Sequence, residues 1–507
     1  MSDETIQTYD VIVLGAGPVG ENVADRTSAA GLSTVIVESE LVGGECSYWA
    51  CEPSKALLRP ALLYGEAARF PGVASAVTGP LDARAVLKHR DRMVADWNDQ
   101  GQVDWLESAG IALVRGHGRL DGVRQVTVET PDGRILRLHA RHAVAVCTGT
   151  RAALPPLPNL DTLRPWTSRE ATSAREAPRR LAILGAGVVA VEMATAWRAL
   201  GSDVVLIARE SRLLTRVEPF AADLVADRLR AAGVELRFGS GIATAERAGG
   251  PDDGVHLSLD DGTRIVVDEL LLATGRAPRT EDIGLETIGL ASGQWLTTDD
   301  TFTVSAVEGE WLYAVGDVNH RALLTHQGKY QARIAGTVIA DRASGGELDT
   351  SPWGRHTGTA DLLAVPQVLF TDPEIAAVGL TTEDAERAGR MVDVVDYEIG
   401  RVAGAIQHDP DYRGRARILI APERRVIVGA TFAGAGVAEL LHSATIAITG
   451  EITLDRLWHA VPSFPTISEV WLRLLETYRD QRAKVQSACV NVDDYVIRRS
   501  PPGLPGS

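Results

Sequence analysis

Cysteine is scarce in this chain: four residues among 507, at positions 46, 51, 147 and 489. That is too few to staple a secreted protein, and a chain of this length does not need staples. An excess of positive charge is also missing. The net charge is -16 and the pI is near 5.2, which argues against sequence-independent binding to nucleic acid or to an anionic membrane. No run approaches the ~18 apolar residues that a membrane span requires. The opening ten residues, MSDETIQTYD, are acidic and polar and read as neither a signal peptide nor a basic transit peptide. These absences point to a cytoplasmic setting, where two close cysteines are more often catalytic or metal-binding than structural. What is present is ordinary for a globular protein, with 45% hydrophobic and 23% charged residues. At about 150 residues per domain, the length suggests three or four domains.

Two stretches are punctuated as βαβ units. Residues 10–14 (DVIVL) run into 15–20 (GAGPVG), a helix pattern, Gly31, and a second apolar run, 34–37 (TVIV), ending in Glu38. Residues 181–184 (LAIL) run into 185–190 (GAGVVA), a helix pattern to about Leu200, Gly201, and 204–207 (VVLI). The duplication implies two doubly wound domains. A third apolar strand, 311–315, leads into Gly316 and Asp317. The region from about 360 to 488 mixes strand-like runs (416–420, 425–428) with helix patterns (438–448, 467–478) and reads as an α+β domain. The expected layout is 1–170 with 277–355 for the first dinucleotide domain, 171–276 for the second, inserted in it, and 356–488 for an interface domain. A disordered tail is expected over 489–507, whose last ten residues, RRSPPGLPGS, have no core-forming pattern.

Gly15, Gly17 and Gly20 fit a dinucleotide fingerprint. The first allows the tight turn, the second lets backbone approach a pyrophosphate at a helix N-terminus, and the third allows close helix–strand packing. Glu38, ending the next strand, suits ribose hydroxyls. Gly185, Gly187 and Ala190 form the second fingerprint. There the next strand ends at Ala208, and Arg209 and Arg212 follow. A carboxylate would repel a 2′-phosphate, whereas guanidinium groups pair with it. The second site is therefore expected to take NADPH, with NADH less favoured, unless the two arginines are merely solvated.

Cys46 and Cys51 lie five positions apart in CSYWAC. On a regular helix that spacing means about 140° of rotation and roughly 7.5 Å of rise, too divergent for a disulfide. The pair can close only where the backbone departs from a regular helix; Gly43 and Gly44 before it and Pro53 after it suit a loop-to-helix junction. A helix N-terminus also lowers a thiol pKa. Two free buried cysteines, or half of a metal site, would give the same spacing; no second pair at metal-ligand spacing follows, so no metal is expected. Cys147, in an apolar strand, reads as core.

Residues 15–20, 44–46 (GEC), 51–55 (CEPSK), 185–190 with Glu192, 273–275 (ATG) and 314–317 (AVGD) occur in this order. In these motifs the chain resembles the class I pyridine nucleotide–disulfide oxidoreductases, which include dihydrolipoamide dehydrogenase, glutathione reductase, mercuric reductase and soluble transhydrogenase. The resemblance runs from about residue 8 to 488. It implies FAD in the first site and a C-terminal domain forming a homodimer interface. It also implies a redox-active disulfide, with Cys51 the thiol nearer the flavin and Cys46 the interchange thiol. By the same resemblance Lys55 and Glu192 pair beside the flavin and nicotinamide, Asp317 holds the ribitol, and Glu38 the adenosine ribose. Gly44, Thr148, Gly149, Gly275 and Gly316 complete the cofactor-binding set.

The chain departs from the family at one place. Disulfide-reducing members carry a His-Pro-Thr-x-x-Glu segment, contributed by the partner subunit, whose histidine shuttles protons. Here residues 462–469 read PSFPTISE: Phe464 stands in the histidine's place and Glu469 in the glutamate's. Phenylalanine has no group to take up or release a proton; His459 is the nearest histidine before it. Mercuric reductase and soluble transhydrogenase also lack that histidine. Cys489 is single where mercuric reductase carries two C-terminal cysteines, and both active-site cysteines are present, unlike in the transhydrogenase. The expected chemistry is electron transfer from NADPH through FAD to the Cys46–Cys51 pair and on to a thiol/disulfide or other small-molecule acceptor, in enzyme class 1.8.1 or 1.6. The alternatives are a quinone or metal-ion reductase and a subunit like dihydrolipoamide dehydrogenase.

Overall fold

The structure is a computed structural model that describes residues 6–247 and 254–497, with side chains to residue 484. Strand β1 (Gln7–Leu14) leads into helix α1 (Pro18–Ala29) and strand β2 (Thr34–Glu38). β1 lies parallel to β2 from Val11↔Thr34 to Leu14↔Val37, and parallel on its other side to the strand Ile135–Val146. Strand Ala112–Arg115 extends the sheet beyond β2, and Leu312–Ala314 pairs in parallel with Ile135–Val146. Nearly continuous Val, Ile and Ala runs make these strands, because a parallel sheet is covered on both faces. Val11, Val13 and Ile36 pack with α1 and the helix Thr325–Ala343 on one face; Ile12, Val35 and Val144 fill the other. Cys147 belongs to the first of these cores.

A second parallel sheet runs in the order Glu235–Phe238, Asp203–Ala208, Arg180–Leu184, Glu269–Leu272. All its strands fall, in the chain, between Ile135–Val146 and Leu312–Ala314, so the second dinucleotide fold is inserted in the first. A small antiparallel sheet, Ile242–Arg247, Val255–Leu259 and Arg264–Val267, sits in the same insertion. The fold is thus α/β with two Rossmann-like layers.

A separate compact unit comprises Arg216–Leu224 and the chain from Pro373 on. In it the strands Glu374–Gly379, Val426–Gly434, Arg415–Ala421 and Asp393–Glu398 pair antiparallel in that order. The segment Arg216–Leu224 joins this unit because Glu218, 1% exposed, accepts from Thr382 N at 2.7 Å and from Arg417 Nη1 at 2.8 Å. The sequence layout places those residues within the second nucleotide domain, 171–276. The last helix, Glu469–Ile497, holds no proline or glycine and carries on beyond residue 489, where the sequence suggests a disordered tail. The remainder of that expected tail, 498–507, and the Cys489 side chain lie outside the described residues. No helix among the described residues is long and apolar enough to cross a membrane.

Candidate functional site

The first fingerprint forms a tight strand–turn–helix. Gly15 has φ +100° and sits so close to the Cys147 carbonyl that a Cβ would lie 2.6 Å from its oxygen. A Cβ on Gly20 would lie 1.9 Å from the Gly15 carbonyl oxygen, which fixes how closely α1 approaches β1. Gly17, by contrast, faces open space and caps α1 with no side-chain hydrogen bond. The first amides of α1 therefore have no capping side chain, the arrangement that receives a pyrophosphate. Gly44 closes over Gly17, its would-be Cβ 2.7 Å from the Gly17 Cα. Glu38 is buried at the end of β2; Oε2 accepts from Ala16 N at 2.6 Å and Oε1 from Glu40 N at 2.7 Å. Each oxygen keeps a lone pair for a ribose hydroxyl. Burial raises its pKa against those two bonds. Glu21 in α1, which sequence reasoning overlooked, is pushed up to about 7 by burial.

Thr148 and Gly149 follow the strand Ile135–Val146, and the Thr148 hydroxyl is buried without a partner among the described residues. Gly316 and Asp317 follow Leu312–Ala314. Desolvation raises the Asp317 pKa, opposed by the Thr150 hydroxyl, which donates to Oδ2 at 2.7 Å. Thr150 Oγ1 in turn accepts from Arg276 Nε at 2.9 Å, and Arg276 Nη2 donates to Glu45 Oε2 at 2.8 Å. Gly275 immediately precedes Arg276. This Glu45–Arg276–Thr150–Asp317 chain ties the cysteine segment to the Gly316 turn. Only Glu45 and Asp317 stand in motifs; the other two are brought in by pairing of the strand Arg276–Pro278 with Thr150–Ala152.

The cysteine segment is two helices. Helix α2 (Gly44–Tyr48) carries Cys46, and helix α3 (Cys51–Ala67) begins at Cys51. Trp49 and Ala50 break the helix between them, Ala50 at φ −131° and ψ −95°. That is the departure the spacing requires, and it leaves Cys51 at a helix N-terminus. The two half-buried thiols share a hydrogen bond with each other. Thr325 Oγ1 lies 3.1 Å from Cys46 Sγ and 3.3 Å from Cys51 Sγ. The hydrogen bond from Cys46 lowers the Cys51 pKa against burial, with help from Thr325 and Lys55, and the same pairing raises Cys46. The pairing thus favours charge on Cys51 over Cys46.

Lys55, one turn into α3, reaches Glu192 in the helix Val188–Ala199, Nζ to Oε2 at 2.8 Å. Glu192 is buried, and its other oxygen accepts from Phe370 N at 3.0 Å. The Phe370 ring centroid lies 5.0 Å from Lys55 Nζ. Thr325 and Phe370 carry no local sequence signal; they lie hundreds of residues from the motifs they complete.

At the second fingerprint, Gly185 packs on Ala273, whose carbonyl oxygen would lie 2.3 Å from a Cβ there; Gly187 faces open space and Ala190 is fully buried. The two arginines behave differently. Arg209 is exposed at the end of Asp203–Ala208, its Nε 2.9 Å from where a Cβ on Gly241 would be. Arg212 donates to the carbonyls of Leu214 at 3.3 Å and Thr215 at 3.1 Å. In the second compact unit, Phe464 is exposed, and Glu469 opens the last helix, buried, with Oε2 unpartnered among the described residues. His459 is exposed.

Residues 9–335 match the family described as pyridine nucleotide-disulphide oxidoreductase, and residues 365–474 match that family's dimerisation domain. Dihydrolipoyl dehydrogenase 3 of Pseudomonas aeruginosa is 31% identical over 478 residues, which is 92% of this chain and 96% of that protein. Mercuric reductase of Staphylococcus aureus is 26% identical over 486 residues, 95% of this chain and 84% of that protein. The HOCl-induced flavoprotein disulfide reductase RclA from Escherichia coli, solved as a Cu(II) complex, superposes with a TM-score of 0.79 at 22% identity, covering 93% of this chain and 99% of that one. LpdA from Mycobacterium tuberculosis superposes with a TM-score of 0.78, also at 22% identity and over the same shares of each chain. The two structures speak for the fold; the family match and the 31% relative speak for the lineage. This chain belongs to the pyridine nucleotide-disulphide oxidoreductases, a family of FAD-dependent flavoprotein oxidoreductases that use NAD(P)H.

Proposed function

We propose that this protein takes an electron pair from NADPH through FAD to the Cys46–Cys51 pair and passes it to an acceptor that needs little proton help. The observation that carries the reading is the pairing of two thiols, one at a helix N-terminus, beside the Lys55–Glu192 ion pair. When bound, FAD supplies two-electron exchange between a nicotinamide and a dithiol. The open start of α1, Glu38, Thr148 and Asp317 are the groups that would hold it; Gly187, Ala190 and Arg209 would hold NADPH. Lys55 keeps a positive charge next to Cys51 and so favours its thiolate. Cys46 faces the acceptor as interchange thiol. Glu469 belongs to the partner-facing segment of a homodimer. The setting is a reducing, cytoplasmic one, where the pair cycles between disulfide and dithiol.

The experiment is reduction of the purified protein with NADPH under exclusion of oxygen. A long-wavelength charge-transfer absorption should appear, arising from a thiolate against the flavin. Cys51→Ser should abolish it, and Cys46→Ser should show it before any reductant is added. A band that survives Cys51→Ser would refute the assignment of the two thiols. A second reading, reduction of quinones or metal ions, is favoured by Phe464, which leaves the interchange thiol without the proton carrier that disulfide substrates call for.

A further inference from the structure

The stretch between the two cysteines is held by a helix from elsewhere in the chain. Helix α2 ends before Trp49, so the last carbonyls there have no intrahelical donor. The Tyr48 carbonyl accepts from Trp97 Nε1 at 3.1 Å, and the Trp49 carbonyl from Thr172 Oγ1 at 2.9 Å. Thr172 lies in the helix Ser168–Ser173, whose start is fixed by a capping box of Thr167 and Glu170. At the other end of that helix, the carbonyls of Thr172 and Ala174 accept from Arg90, which is 1% exposed. The same helix carries Arg169. Its guanidinium carbon lies 4.1 Å from the centroid of the Trp49 ring. Its Nε donates to Glu45 Oε1 at 3.2 Å, and Nη1 and Nη2 donate to the Glu40 carboxylate at 2.9 and 2.6 Å. Glu45 immediately precedes Cys46, and Trp49 lies between the two cysteines. One side chain therefore grips the backbone on both sides of Cys46.

On the reading of the pair as redox-active, we propose that Arg169 is a positioning residue for it. By holding Glu45 and Trp49 together, Arg169 keeps Cys46 within hydrogen-bond reach of Cys51 once the bond between the sulfurs is broken. Helix α2 needs such a hold, because five residues are too few to keep a helix in shape unaided. A planar guanidinium can stack on an indole and present its fork to carboxylates at the same time, which an ammonium cannot. Glu40 and Glu45 also offset its charge, so its effect on the sulfurs passes through the backbone rather than through space. The second Glu45 oxygen accepts from Arg276 Nη2 at 2.8 Å, which steadies the carboxylate from the other side. The groups that act on the sulfurs directly are Thr325 from its own helix and Glu52 and Lys55 from α3. The hydrogen bond from Cys46 is the largest influence on Cys51. Loosening the grip on Cys46 weakens that bond and makes the Cys51 thiolate harder to form.

The test is a pH titration of the charge-transfer absorbance in dithiothreitol-reduced holoenzyme. In the unmutated protein the band should fade as pH falls through about 6. Arg169→Leu and Trp49→Ala should each move the midpoint upward by about one pH unit, the scale of weakening one hydrogen bond to a charged group. Trp49→Phe keeps a ring against the guanidinium and should stay near the unmutated value. Arg169→Lys keeps the charge but loses the fork and the flat face, and should shift as the leucine variant does. An unmoved midpoint in Arg169→Leu or in Trp49→Ala would overturn the proposal. So would full recovery in Arg169→Lys, which would assign the effect to charge acting through space. Equal shifts in Trp49→Phe and Trp49→Ala would overturn it as well, by assigning the effect to packing of the indole. If Arg169→Leu does not retain flavin, the two Trp49 variants decide. Counting thiols freed by NADPH in the unmutated protein separates the two failures. If none is freed, the redox-active reading falls; if both are freed and the midpoint does not move, only the positioning role falls.

Discussion

Glu192 is a carboxylate kept at 4% exposure, and each of its oxygens has one donor: Lys55 Nζ at 2.8 Å and Phe370 N at 3.0 Å. A buried charge left without such partners is strongly destabilising. Lys55 is 36% exposed at its side chain, so the pair serves less as a stabilising contact than as a means of fixing where one positive charge sits. That charge acts on Cys51, whose thiol is lowered to about 6, chiefly by the hydrogen bond from Cys46 and with Lys55 as a smaller cause. A lowered pKa means the thiolate is present above about 6 and is lost as pH falls through that value. The charge-transfer absorption of the reduced enzyme should fade in the same window. Lys55→Met removes the attraction and should move the fading upward by roughly one pH unit. Titrating the absorbance of both reduced proteins checks this, and an unmoved midpoint would mean that Lys55 does not act on the thiolate.

Each dinucleotide motif is a strand, a turn and a helix, and specificity is set where the following strand ends. In the second motif that strand is Asp203–Ala208, with Arg209 exposed just beyond it. Arg212 is already engaged by the carbonyls of Leu214 and Thr215, so on the proposed reading the larger share of a 2′-phosphate contact would fall to Arg209. A charge-assisted hydrogen bond contributes about 1.5–3 kcal/mol. Arg209→Ala should therefore lower the NADPH-over-NADH ratio of kcat/KM by about ten- to a hundredfold, and Arg212→Ala by less; comparable loss in both would shift the site's centre to Arg212. Elements of this kind were legible in the sequence because a glycine fingerprint, an apolar strand and a helix pattern agree at one place. The break between α2 and α3 was legible too, since five-residue spacing on one regular helix keeps the sulfurs apart. Thr325, Phe370 and Arg276 were not. Each reaches its partners through strand pairing or helix packing across long stretches of chain. Thr325 in addition starts its helix behind Leu324, with no capping residue to mark it. The segment Arg216–Leu224 escaped for a similar reason: what assigns it is the ionic contact of Glu218 with Arg417, made 199 residues away.

At the scale of the whole molecule, the proposed reading turns on Phe464, which stands where the resemblance to the family puts a proton-shuttling histidine from the partner subunit. A well-placed acid or base contributes typically 10²–10⁴-fold. The loss falls on one half of the cycle only. On the proposed reading, passage of electrons from the nicotinamide to the Cys46–Cys51 pair needs no proton carrier from the partner, whereas release of a substrate thiolate needs a proton. The expected result is fast reduction of the flavin by NADPH together with slow steady-state turnover of lipoamide and glutathione disulfide. A benzoquinone, which can take electrons without thiol interchange, should do comparatively better. Glu469 offers a way to test the cause. Its Oε2 is buried and unpartnered among the described residues, which is the acceptor an imidazole N–H would use. Phe464→His should therefore raise disulfide turnover and give it a pH profile set by a near-neutral group, with the benzoquinone rate little changed. The comparison is steady-state turnover of the three acceptors by both proteins. Rapid lipoamide or glutathione disulfide reduction by the unmutated enzyme would show that the missing histidine is not limiting. If that activity then fell in His459→Ala, the exposed histidine five residues before Phe464 would be the proton carrier.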